Sequence, residues 1–186
     1  MISPLAIIDK YYPADASDTA LRNLLLHHSW QVASMALRCA ARHPELPMDR
    51  QLIFSGALLH DIGVYLTHAP SIHCHGELHY LMHGFAGAQL LRIEGLEAEA
   101  RICERHTGTG LSREAILDAE LPIEACDYFP ETLEEKLICY ADKFFSKSKP
   151  HRSLSFEGAR QSLVRFGMDG VKRFEEWNSM FGGECW

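Results

Sequence analysis

An all-α fold in a single domain is what this sequence predicts, on three observations. Apolar and small residues recur with a period near 3.6 over almost the whole chain. No stretch alternates apolar and polar residues with the period of two expected of a half-buried strand. The 186 residues are 47% hydrophobic and 23% charged, which is ordinary for a globular domain with one core.

The elements follow in order. Residues 18–42 carry Leu21, Leu25, Val32, Met35, Ala36 and Cys39 on one helical stripe, and Pro44 and Pro47 close the segment. Residues 49–61 predict a second helix, with Asp49 as N-cap and Gly63 as the stop. The loop GVYLTHAPSIHCHGE follows. Helices are expected over 79–94 and 96–106, the latter ended by TGTG, and a short one over 113–119. LPIEACDYFPE reads as a loop with two prolines. Residues 131–146 predict another helix. A C-terminal pair spans about 155–166 and 169–181, with Phe166, Val171, Phe174, Trp177 and Phe181 on its inner face. The single domain thus covers residues 1–186.

The net charge of −7 argues against a nucleic-acid polymer as partner, which would need a broad basic face. It leaves room for a small anion in a local basic pocket. No apolar run approaches the length needed to cross a bilayer, and the N-terminal MISPLAIIDKYYP lacks the basic start of a signal peptide. The expected location is the cytoplasm, without membrane association. The six cysteines, at 39, 74, 103, 126, 139 and 185, form no CxxC pair and read as reduced and mostly buried.

Eleven histidines stand out, ten of them before residue 107. His28 lies on the buried stripe of the first long helix, three residues after Leu25 and four before Val32. His60 and Asp61 end the most hydrophobic helix, in GALLHDIG. His83 shares a face with Gly87, Leu90 and Leu91; His106 follows Ile102 by one turn; Asp142 follows Ile138 by one turn. A buried histidine or carboxylate must be hydrogen-bonded or metal-bound. His28 alone would read most simply as a satisfied core histidine, and the His60-Asp61 pair alone equally well as a histidine at a helix C-terminus beside a solvated aspartate. Six such residues on five apolar faces point to a shared mixed nitrogen and oxygen metal site.

The order His28, His60-Asp61, His83, His106, Asp142 resembles the HD-domain superfamily of metal-dependent phosphohydrolases, whose pattern is H…HD…H…H…D. HSWQVA, LLHDIG, HGFAGAQLL, RHTGTGL and YADK are each similar to the corresponding family segments, over about residues 18–148. The two extra histidines, His83 and His106, imply the subset that holds two metals, with Asp61 as the bridge and main catalytic group. The implied cofactors are two divalent transition-metal ions, iron first, with manganese, zinc or nickel accepted by the same donors. One feature departs from the pattern. Many members place a lysine directly after HDIG, where this chain has Val64.

Replacements for that lysine are sought in Lys143 and Lys147, expected to share a face of a continuing helix, and in Arg105 beside His106. A solvated basic face is the plain alternative. The loop THAPSIHCHGELH adds His68, His73, His75 and His79 as a lid or substrate wall, or simply an exposed loop. The implied reaction is hydrolysis of a phosphate ester or anhydride, of a nucleotide by preference, by a metal-activated hydroxide. Two alternatives share the fold. One is a mixed-valent di-iron oxygenase with a similar ligand set. The other is a non-catalytic binding or signalling module, although such modules typically lose the metal residues retained here.

Overall fold

The computed structural model describes residues 3–16 and 19–182. Asp18, the expected start of the first long helix, and Cys185 lie outside the described residues. Helices dominate: α1 Pro4–Tyr11, α2 Ala20–Arg42, α3 Arg50–Leu59, α4 His83–Ile93, α5 Glu97–Arg105, α6 Arg113–Asp118, α7 Leu133–Asp142, α8 Phe156–Leu163 and α9 Met168–Phe181. The expected loop between α3 and α4 holds a two-residue hairpin, β1 His68–Ala69 against β2 Cys74–His75, that the periodicity was too short to announce.

The helix starts are set by side chains. The Asp49 carboxylate accepts from the backbone N–H of Gln51 and Leu52 and opens α3. Thr132 and Glu135 cap α7 reciprocally. α7 runs through the middle of the fold, against α2, α3, α5 and α9. Its Leu137, Ile138, Cys139, Tyr140 and Ala141 are buried all round.

α1 was not foreseen. Pro4 sits in its first turn, and Ile7 and Ile8 are buried. Tyr12, just beyond, donates its hydroxyl to the Ile62 carbonyl at 2.8 Å. The N-terminal segment therefore buttresses the HDIG turn.

α4 reaches that turn because both sides lack a side chain. A Cβ on Gly63 would overlap the backbone of Gly87 and His83, and one on Gly87 would overlap the Cys103 sulfur. The glycines let α3, α4 and α5 close on one point.

Two expectations need correction. The helix expected over 131–146 stops at Asp142, and the chain turns at once, so Lys147 stands on a loop. Phe166 is 65% exposed rather than on the inner face, because the chain leaves α8 through a 3₁₀ turn and then Gly167 at φ 103°. No disulfide joins the described cysteines, and four of those five are buried, as expected.

Candidate metal centre

All six expected ligands meet at one buried point. His28 and His106 are almost fully enclosed, and His60 and Asp61 have no exposed surface. His28 Nε2 lies 3.0 Å from Asp142 Oδ1 and 3.3 Å from Asp61 Oδ2. His60 Nε2 lies 3.0 Å from Asp61 Oδ2 and 3.6 Å from Asp142 Oδ1. The other Asp61 oxygen faces a different pair: His83 Nε2 and His106 Nε2 are each 3.4 Å from Oδ1. One carboxylate thus presents one oxygen to each of two histidine pairs. Donor atoms of His28, His60 and Asp142 all lie within 4.8 Å of one another, as do those of His60, Asp61 and His106.

Local structure fixes which nitrogen faces inward. His60 Nδ1 is 2.8 Å from the Ala57 carbonyl, His83 Nδ1 is 2.7 Å from that of Tyr80, and His106 Nδ1 is 2.7 Å from that of Cys103. Each partner is three residues back, which is where a histidine at a helix end can fold onto its own chain. A carbonyl only accepts, so each Nδ1 carries the proton. In the neutral ring the lone pair then sits on Nε2. Two such lone pairs, on His83 and His106, face each other at 3.0 Å. Those nitrogens cannot bond each other unaided, and neither Asp61 oxygen has an aligned hydrogen bond among the described residues. Buried acceptors in that state call for a cation, and a nitrogen and carboxylate donor set suits a divalent transition metal. The residues fit the group.

Charge here is already partly neutralised from within. The Lys147 ammonium lies 2.7 Å from Asp61 Oδ2, close enough for attraction although poorly aligned for a hydrogen bond, and Lys143 lies 2.8 Å from Asp142 Oδ2. Burial alone would raise the Asp61 pKa, yet His60 and Lys147 hold it well below the usual carboxylate range. Lys143 and His28 do the same for Asp142. Burial opposes charge on His60, but Asp61 and Asp142 prevail and push it up to about 9. Burial and the neighbouring His106 push His83 down to about 3.

Lys143, Lys147, His83, His106 and Asp142 open on a cleft of about 1000 Å³. Arg105 does not line it. Its guanidinium donates to the Phe129 carbonyl at 2.8 Å and pairs with Glu131 at 3.2 Å. Adjacency to His106 in sequence turned it away, since successive helical residues diverge by about 100°. His79, one of the loop histidines considered for a lid or wall, is exposed and uses its ring to accept from Leu81 N–H. The histidine-rich loop walls the cleft through Ala69, Ser71 and Ile72 instead.

Sequence reasoning passed over several supports. Tyr80 stacks on the His83 ring with centroids 4.8 Å apart. The buried thiols of Cys103 and Cys139 donate to the carbonyls of His60 and His106 at 2.8 and 3.3 Å. His27 and Gln31 both reach the Pro150 carbonyl, at 3.0 and 3.2 Å, and so pin the loop that carries Lys147.

The HD domain family model matches residues 25–146. A tRNA (cytidine(56)-2'-O)-methyltransferase of Picrophilus torridus is 36% identical over 128 residues, 68% of this chain and 33% of that protein. The chain therefore spans about a third of that relative's length, and 36% of the like-named protein of Thermoplasma volcanium. An uncharacterized protein of Methanocaldococcus jannaschii is 35% identical over 136 residues, covering 69% of this chain and 73% of its own. Among solved structures, the HD domain of the L. monocytogenes phosphodiesterase PgpH superposes with a TM-score of 0.55 at 18% identity, over 95% of both chains. The same domain in complex with cyclic-di-AMP gives 0.54 at 18% identity, over 95% of this chain and 94% of that one. Ordered ligand pattern, helical frame and family match agree: this chain belongs to the HD-domain family.

Proposed function

We propose that this protein is a metal-dependent phosphohydrolase, cleaving a phosphate ester or anhydride of a small substrate, a nucleotide by preference. Asp61 is read as the carboxylate shared by two cations, one near His28, His60 and Asp142, the other near His83 and His106. The observation that carries the reading is the division of Asp61, with Oδ2 toward one histidine pair and Oδ1 toward the other. When bound, divalent cations supply Lewis acidity to phosphoryl oxygens and lower the pKa of water. Iron is the first metal to test, then manganese, zinc and nickel.

The chain's own residues do the rest. Three backbone carbonyls fix the rings of His60, His83 and His106 with Nε2 inward before any ligand arrives. Lys147 and Lys143 stand at the cleft floor, where their ammonium groups meet phosphate oxygens as charge builds on them. Lys147, on its pinned loop, takes the part left vacant by Val64. The walls from Tyr80 and the hairpin loop restrict water at the floor of the cleft.

PgpH, whose HD domain was solved with cyclic-di-AMP, makes a cyclic dinucleotide one phosphodiester to include in the trial. No methyl transfer is carried over from the relatives so named, since the chain spans only a third of their length. The test is metal analysis of anaerobically purified protein, followed by a panel of phosphomonoesters, phosphodiesters and nucleotides with each metal found. Turnover that Asp61→Ala abolishes supports the reading. No hydrolysis with any metal, together with dioxygen consumption by the reduced iron form, would replace it with oxygenase chemistry.

A further inference from the structure

α9 lies outside the segment that matches the family model, residues 25–146, yet it forms one wall of the same cleft through Gly170 and Arg173. Arg173 is half-buried. Its Nε donates to the Thr109 carbonyl at 3.2 Å, and Nη2 reaches the Thr109 hydroxyl at 3.5 Å. Its guanidinium carbon lies 4.1 Å from the centroid of the Phe129 ring, close enough to hold the plane of the group.

What Arg173 lacks is a counter-charge. The cleft's two lysines each face an aspartate, but no carboxylate pairs with Arg173 among the described residues. Asp127 and Asp169 line the same cleft, and both are engaged elsewhere: Asp127 accepts from the Arg113 N–H and Asp169 pairs with Lys172. The two N–H groups of Nη1 meet no acceptor among the described residues. A half-buried guanidinium held rigid by a carbonyl and a ring, with no carboxylate beside it, is preorganised for an anion from outside. Thr109 stands three residues after His106, so this guanidinium and the metal centre share one short loop.

On the phosphohydrolase reading, we infer that Arg173 is a specificity-determining residue that binds a second phosphate of the substrate, beyond the one placed at the metal centre. The preferred substrate class then carries two phosphoryl groups, and the C-terminal helix selects it.

The experiment titrates three probes into the metal-loaded full chain at low salt: adenosine 5′-monophosphate, adenosine 5′-diphosphate and adenosine 3′,5′-bisphosphate. Calorimetry gives affinities for wild type, Arg173→Gln and Arg173→Lys, with metal content and melting temperature checked in each. Expected is an advantage of roughly tenfold or more for at least one two-phosphate probe over the monophosphate in wild type. Arg173→Gln should lose roughly ten- to a hundredfold in affinity for that probe, keep monophosphate affinity within about threefold, and be partly rescued in Arg173→Lys. No advantage in wild type for either two-phosphate probe, or an advantage that survives Arg173→Gln, overturns the inference while monophosphate binding keeps the phosphohydrolase reading alive. Wild type that binds none of the three removes both.

Discussion

Replacing Lys147 by methionine removes a charge and keeps most of the side chain's bulk. The ion pair it breaks is buried, with the lysine side chain 13% exposed and that of Asp61 not exposed at all. Removing one partner of such a pair typically costs ~3–5 kcal/mol, because the other charge is stranded. Asp61 is not wholly stranded here: His60, 3.0 Å from the same oxygen and pushed up to about 9, retains a proton at neutral pH. That places the expected loss in metal-free protein just below that range, at about 2–3 kcal/mol, or about 5–10 °C in Tm for a chain of this size. With cations bound, Asp61 is neutralised by them, and the same substitution should cost less than about 1 kcal/mol.

The assay is a pair of melts, wild type and Lys147→Met, each with chelator and with saturating metal. The signature is a large gap in chelator that closes with metal. An equal gap in both conditions would assign Lys147 to the scaffold, and no gap in chelator would show that the buried pair does not form. On the same variant kcat/KM for an anionic substrate should fall roughly ten- to a hundredfold at unchanged metal content.

Other tests are shorter. At pH 7.5, below the value of about 9 for His60, the metal-free site holds a proton that metal must displace, whereas His83, down at about 3, has none to give. Metal binding should therefore release a proton at pH 7.5 and cease to do so near pH 10, read by calorimetry in buffers of different ionisation enthalpy; heats independent of buffer would refute it. Changing both His83 and His106 to alanine should lower bound metal from two per chain to one, with His28, His60 and Asp142 keeping the remaining ion; elemental analysis still giving two would end the dinuclear assignment. Asp61→Ala should lose metal and turnover together, and full metal content with normal turnover would contradict its role.

The cluster was legible because it breaks a pattern. His28 among Leu25, Val32 and Met35, or Asp142 after Ile138, stands where periodicity demands an apolar residue, and both are buried in the structure. What periodicity does not carry is direction beyond a helix end. The pattern puts Lys147 on a continuing helix, whereas it reaches Asp61 from a loop tied to α2 at Pro150. Arg105 is adjacent to His106 in sequence, yet one residue of rotation sends it to Glu131. Arg173 carried no signal at all: its meaning depends on Thr109 and Phe129, far away in sequence. α1 leaves no periodic signal, because eight residues with two buried isoleucines are too few for a period to register.

The helix ends explain more than the ligands' positions. His60 follows the last residue of α3, His106 follows the last residue of α5, and Asp142 is the last residue of α7. Three C-termini therefore converge on one buried point, each bringing the negative end of its helix dipole, about half an elementary charge for a long helix. Two aspartates add to that field, so the pocket favours cations before any imidazole is counted. The same field would repel a phosphate. Lys143 and Lys147, their pKa values raised by Asp142 and Asp61 against the pull of burial, offset it only in part. On the phosphohydrolase reading, an anionic substrate would become acceptable at the floor of this cleft only once further positive charge is bound there, so a backbone arrangement that favours cations would also make substrate binding depend on them.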